Sequence, residues 1–290
     1  MKEILCIKRL SISIIMTAYG VSSMFFHEYT SGEIFSNISK AGLDGIEYWL
    51  ETPHFWLRDL PSEEVIACRR AHPEISTFSV HTPVLDLNPC SINPDVAEIS
   101  VAYAVRSLEM AQALGAGVLT VHPGRRTAKR PPGDADRARF DHYIAALREA
   151  ALKDTVTVAI ENMEPAVNSL ICTPERMREV LDAEPWLRFT LDTSHALASS
   201  EGTVMEYIDL CGDRLANVHL SRAGNGRLHL PLDHSQVIAR ILESLRDHHY
   251  RGALMLEIDD LNFPKPLPAE EKCAILAQDL SFMRKCMEPD

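Results

Sequence analysis

Positive charge is in short supply in this chain. Against 41 Asp and Glu it sets only 29 Lys and Arg, a formal charge of −12 over 290 residues. An acidic balance of this kind argues against a broad nucleic-acid footprint, because phosphate backbones are gripped by basic faces, although a local basic patch remains compatible with it. Paired thiols are missing too. The seven cysteines (Cys6, Cys68, Cys90, Cys172, Cys211, Cys273, Cys286) are odd in number and scattered, with no Cys-x-x-Cys spacing. That pattern speaks against a disulfide framework and against a thiolate zinc knuckle, and a reducing, cytoplasmic setting is expected. Near the N-terminus the apolar run Leu10–Met16 follows Lys8-Arg9 but is short and alternates with serine. It is read as a first strand, not as a signal segment or membrane span.

What the chain has in quantity is hydrophobic residues, 46% of the total, enough for a full core and consistent with one domain over residues 1–290. The organising stretch is Val158-Ala159-Ile160-Glu161-Asn162, an apolar run that stops at a carboxylate. The same grammar recurs in Phe78-Ser79-Val80-His81, Leu119-Thr120-Val121-His122, Phe189-Thr190-Leu191-Asp192, Ala216-Asn217-Val218-His219 and Leu254-Met255-Leu256-Glu257. Six strands are therefore expected to end in a side chain able to bind a metal. Ile46–Leu50 supplies a further strand, whose Glu47 and Trp49 are placed either to line a site or simply to pack.

Between the strands lie helical patterns. They cover 32–41, 61–71, 95–114, 140–153, 173–183, 204–210, 235–246 and 270–287, with Pro at the first turn or Gly after the last marking several boundaries. The basic, proline-rich segment 123–134 is read as a long loop after the fourth strand, of the kind that often carries function. Eight strand-helix units of this length predict an α/β fold, a single (β/α)8 TIM barrel, since each pair of strands is separated by a crossover helix. In such a barrel the strand C-termini share one mouth, so the six tips converge.

Taken singly, a histidine or acid at a strand end is more often a structural hydrogen-bonding group or helix cap. Six together are different, because clustered carboxylates repel unless a cation neutralises them. The ligand set is imidazole and carboxylate without thiolate, which suits zinc, manganese, iron(II), cobalt or magnesium without choosing among them. The expected cofactor is a divalent ion, zinc or manganese foremost, with one to three ions bound. Glu161, Asp192, His219 and Glu257 form one candidate set. His81 and His122 can share Glu161 for a second ion, and His195 and His229 are further candidates. His27, His54, His72, His142, His234, His248 and His249 are assigned to surface or packing.

Taken in order, Ser79-Val80-His81-Thr82-Pro83, Val121-His122-Pro123-Gly124, Ile160-Glu161-Asn162, Leu191-Asp192-Thr193-Ser194-His195, Val218-His219-Leu220-Ser221, His229-Leu230-Pro231-Leu232 and Leu256-Glu257 resemble the xylose isomerase-like barrel superfamily. That group includes sugar isomerases and epimerases and the endonuclease IV type of abasic-site nuclease. For the nuclease branch the resemblance implies an Asp two residues before the His229 position, as a ligand of a third zinc. Arg227 stands there instead. For the epimerase branch it implies one ion held at the positions of Glu161, Asp192, His219 and Glu257, with the two glutamates moving the substrate proton. His195 and Arg227 would grip the sugar.

The expected function is a metal-dependent isomerase or epimerase of a sugar or sugar phosphate, acting through a metal-stabilised enediolate with Glu161 and Glu257 as proton-transfer groups. His195, Arg227 and His229 would contact the substrate. The alternatives are a metal-dependent phosphodiester hydrolase and a non-catalytic metal- and sugar-binding barrel. The expected partner is a small sugar or phosphorylated molecule, with nucleic acid disfavoured, no membrane association, and an oligomer compatible with the sequence.

Overall fold

The computed structural model describes residues 17–152 and 155–288. Eight parallel strands close into a barrel: β1 (Ala18–Ser22), β2 (Gly45–Trp49), β3 (Thr77–His81), β4 (Val118–Val121), β5 (Thr157–Glu161), β6 (Arg188–Asp192), β7 (Leu215–Leu220) and β10 (Ala253–Leu256). A two-stranded antiparallel hairpin, β8 (Arg222–Gly224) and β9 (Arg227–Leu230), is inserted after β7. Around the barrel run α1 (Ser31–Lys40), α2 (Pro53–Leu57), α3 (Ser62–Ala71), α4 (Pro94–Ala113), α5 (Asp134–Ala151), α6 (Pro174–Ala183), α7 (Thr193–Leu197), α8 (Glu201–Cys211), α9 (Gln236–Asp247) and α10 (Ala269–Met287). Among the described residues no helix is long and apolar enough to cross a membrane.

Seven of the eight expected strands fall where the apolar runs placed them. The first does not. Leu10–Met16 lies outside the described residues, and the barrel's first strand is Ala18–Ser22. Its central Gly20 hides it from a propensity reading, yet the glycine is required, because a Cβ there would meet Met255 Sδ at 2.4 Å and the Gly45 carbonyl oxygen at 2.6 Å. The helix expected over 140–153 starts earlier, at Asp134, where Gly133 N–H donates to the Asp136 carboxylate at 2.9 Å. Lys153 itself lies outside the described residues.

Strand alternation sorts the barrel into two layers. Val21, Ile46, Tyr48, Val80, Leu119, Val121, Ile160, Leu191, Val218, Leu254 and Leu256 join the hydrophobic core between strands and helices. The alternate positions carry Glu47, Ser79, Thr120, Thr190 and Asn217, all buried. These face the lumen, because Asn217 on β7 donates to Glu47 on β2, a strand it does not adjoin, at 2.7 Å. Bulky aliphatic side chains usually fill this position in a TIM barrel. Here a polar floor lies under the mouth instead.

Candidate metal centre

Two residues beyond that floor, on the same face of the strands, stand the tip residues. Glu161, Asp192, His219 and Glu257 each offer one ligand atom, and these atoms lie within 4.8 Å of one another. His219 Nδ1 is 3.0 Å from Glu257 Oε2 and 3.5 Å from Glu161 Oε1. All four residues are buried, and Asp192 Oδ2, His219 Nδ1 and Glu257 Oε2 have no hydrogen-bond partner among the described residues. Buried polar atoms are ordinarily satisfied, so three unpartnered ligand atoms converging on one point fit a divalent cation.

Local structure fixes each of them. Asp192 is the N-cap of α7: its Oδ1 accepts from the His195 backbone N–H at 2.7 Å, which leaves Oδ2 turned to the cluster. The side-chain amide of Asn162 clamps the ends of β5 and β6 together, accepting from Asp192 N–H at 2.8 Å and donating to its carbonyl at 3.0 Å. His219 Nε2 lies 2.6 Å from Glu47 Oε1, while Glu47 Oε2 accepts from Ser79, Thr120 and Asn217 at 2.8, 3.2 and 2.7 Å. A carboxylate behind a histidine holds the proton on the far nitrogen and leaves the near one free to ligate. Glu47, which sequence reasoning left between lining and packing, therefore orients His219 from below.

Glu161 divides its oxygens. Oε1 faces His219 and also His195 Nδ1, at 3.3 Å, whereas Oε2 lies 3.4 Å from His81 Nε2 and 3.1 Å from His122 Nε2. His81, His122 and Glu161 form a second possible metal group, and Asp192, His195 and His229 a third. His81 Nδ1 donates to the Thr82 carbonyl at 2.7 Å, which directs Nε2 inward, and Trp49 stacks on its ring at 4.1 Å. Arg227 is placed elsewhere. It is exposed on β9, donates to the Leu261 carbonyl at 3.2 Å, and borders a side pocket with Glu164, Pro165 and Leu197.

The electrostatics follow from this crowding. Burial works against the charge on Glu161, but His122 and His219 outweigh it and hold the carboxyl well below its usual range. Glu257 is likewise lowered, with His219 overcoming burial. Burial drives Asp192 up. On His195 burial opposes the proton, yet Asp192 and Glu161 raise it to about 10. Without a cation, the cluster balances its carboxylates with protonated imidazoles.

Above the cluster opens a cavity of about 310 Å³, bordered by Met24, Trp49, Val84, Leu85, Met163 and Ile258 on the apolar side and His122, Arg125, His229, Glu257 and Asp259 on the polar side. Its size and mixed lining suit a small molecule. Glu51 shapes one edge by accepting from the Val84 and Leu85 backbone N–H groups at 2.7 and 3.0 Å.

Comparison with known proteins places this geometry. The family model described as xylose isomerase-like TIM barrel matches residues 35–286. The uncharacterized protein MJ1188 of Methanocaldococcus jannaschii is 32% identical over 273 residues, spanning 92% of this chain and 98% of its own. D-allulose 3-epimerase from Methylomonas sp., solved with D-allulose, superposes with a TM-score of 0.76 at 17% identity, covering 93% of this chain and 97% of that one. Endonuclease IV from Thermus thermophilus gives 0.69 at 21% identity, covering 94% and 100%. At such identities the two structures show a shared fold.

Proposed function

The chain belongs to the xylose isomerase-like TIM barrel family, and from that premise we propose that it is a divalent-metal-dependent isomerase or epimerase of a sugar or sugar phosphate. One observation carries the reading: two glutamates, a buried aspartate and an oriented histidine converge, with unpartnered ligand atoms, beneath a cavity of small-molecule size. A divalent ion held by Glu161, Asp192, His219 and Glu257, zinc or manganese foremost, would supply Lewis-acid polarisation of a carbonyl and its neighbouring hydroxyl. The remaining work falls to the chain.

Glu161 ends β5 and Glu257 follows β10, three strands apart around the barrel. Carboxylates that reach one substrate from separate directions can take a proton from the carbon beside the carbonyl and return one to another face or a neighbouring atom. Glu161 is kept deprotonated by its imidazole neighbours and so suits the base. His195 Nδ1 stands 3.3 Å from Glu161 and 3.6 Å from Asp192, and when protonated it would offer charge close to developing negative density. Trp49, Met24, Met163 and Ile258 keep water from the reacting carbon, and His122 and His229 present ring edges to hydroxyls. The fold shared with a sugar epimerase supports this reading.

A second reading, a phosphodiester hydrolase, is favoured by a separate observation. The His81, His122, Glu161 and Asp192, His195, His229 groups offer room for further ions, as hydrolysis of phosphodiesters uses. The net acidity and Arg227 at the position where the resemblance implies an Asp weigh against it. Product analysis decides. Metal-loaded protein is expected to interconvert members of a ketose and ketose-phosphate panel, and to leave duplex DNA with an abasic site nearly intact. Efficient incision at physiological salt, with the sugar panel unconverted, would reverse the ranking.

A further inference from the structure

We propose that Arg125 binds an anionic group, a phosphate or a carboxylate, on the sugar that enters the mouth cavity, and so sets the substrate class. The inference rests on reading that cavity as a sugar site. Among the residues bordering the cavity Arg125 is the one Lys or Arg, and it faces a space shared with His122, His229 and Glu257. Its exposed guanidinium makes no hydrogen bond or ion pair among the described residues.

Most of the neighbouring arginines are engaged, and Arg130, exposed in the same loop with no side-chain partner among the described residues, does not border the cavity. Arg126 donates to the Pro131 carbonyl at 2.6 Å and lies 3.7 Å from Asp136. Arg137 pairs with Asp134 and Arg139 with Asp136. Arg222 pairs with Asp233, and Arg227 is tied to the Leu261 carbonyl.

The free guanidinium is carried on a fastened backbone. Asn88 accepts from the Arg125 N–H at 3.0 Å and donates to the Arg125 carbonyl at 2.9 Å. On the far side Arg125 bridges Ser169, and the Arg126 carbonyl accepts from the Asn168 amide at 2.8 Å. Gly124 makes the turn at φ +75°, where a Cβ would press on Asn88, Cys90 and Pro89 at 3.0 to 3.1 Å. A cation on a held main chain loses little backbone freedom on binding, and a guanidinium meets phosphate or carboxylate with two parallel N–H bonds. Glu257 and Asp259, the carboxylates bordering the same cavity, would repel such a group, which favours an orientation with the anionic end at Arg125.

Isothermal titration tests this on the metal-loaded protein and its Arg125→Ala, Arg125→Lys, Lys129→Ala and Arg227→Ala variants. The probes are D-fructose, D-fructose 6-phosphate, 5-keto-D-gluconate and inorganic phosphate. The parent is expected to bind at least one anionic ketose roughly ten- to a hundredfold tighter than fructose, the range of a charge-assisted contact. Whether phosphate or carboxylate gives that gain identifies the group. Arg125→Ala should abolish the gain with fructose affinity and metal content unchanged, Arg125→Lys should keep part of it, and Lys129→Ala should keep it whole. Retention of the gain in Arg125→Ala, or its loss in Arg227→Ala alone, would overturn the assignment. Fructose binding without any anionic advantage in the parent would overturn the inference and leave the sugar-site reading standing. Failure of every probe to bind the metal-loaded parent would overturn both.

Discussion

Asp192 and Asp279 are both buried carboxylates, and burial pushes both above their usual range, Asp279 to about 7. Their surroundings differ. Asp192 stands at the mouth with one oxygen taken up by a helix cap and the other, unpartnered, 3.6 Å from His195 Nδ1 and 3.8 Å from His229 Nδ1. Asp279 lies on α10, where His234 Nε2 approaches one oxygen at 3.5 Å, the other has no partner among the described residues, and the like charge of Asp233 raises it further. A raised carboxyl by itself therefore marks no site. Convergence of oriented ligand atoms does, and among the described residues only the mouth has it.

The strongest way to break that contrast is Glu161→Gln. Glu161 faces two of the possible metal groups, so its loss should lower metal affinity by more than the roughly 10- to 100-fold that follows removal of an outer partner, with the barrel still folded. Elemental analysis after dialysis reads this directly. Unchanged metal content in the variant would reduce the mouth to the same status as Asp279.

Next in size is Glu47→Gln. Here the ligands stay and only the charge behind His219 goes, so metal affinity should fall by about 10- to 100-fold while far-ultraviolet circular dichroism is unchanged. Full affinity in this variant would mean that the charge on Glu47 does not orient the ring.

Glu47 also shows where sequence reading stopped. The tip residues were legible because each ends an apolar run, and the alternation that places them in the lumen was in the same runs. Ser79, Thr120, Thr190 and Asn217 stand two residues before His81, His122, Asp192 and His219, and reading that second polar register would have built the floor and drawn Glu47 into it. Other features had no local signal. Ala18–Ser22 is a strand because Gly20 lets Gly45 and Met255 come close, a tertiary reason. The β8–β9 hairpin turns through Asn225 and Gly226 at positive φ and carries Arg227 away from the mouth cavity, where the sequence had placed it as a substrate contact. Arg125 was legible only as part of a basic loop, since its freedom depends on which neighbours the other arginines find.

A smaller effect is expected on the flank. Folded Asp279 holds its proton up to about pH 7, whereas in the unfolded chain an aspartate loses it near ~3.9. Between those values the folded state binds more protons, so this group's contribution to stability is fully present below about pH 4 and is lost as pH rises through 7. Asp279→Asn should therefore stabilise the protein by roughly 1–3 kcal/mol at pH 8 and by much less at pH 4.5, as read from urea unfolding at both. An equal gain at the two pH values would show that ionisation is not its cause, and metal content should not move at either.

Proton transfer at the mouth is the central claim, and isotope exchange tests it most directly. Metal-loaded protein is incubated in D2O with neutral and anionic ketoses, and the hydrogen on the carbon beside the carbonyl is followed by proton NMR. Exchange of that hydrogen for deuterium is expected with at least one ketose, and it should cease on chelation and in both Glu161→Gln and Glu257→Gln. Absence of exchange in protein that holds its metal and incises abasic DNA would contradict the account and assign the same residues to hydrolysis.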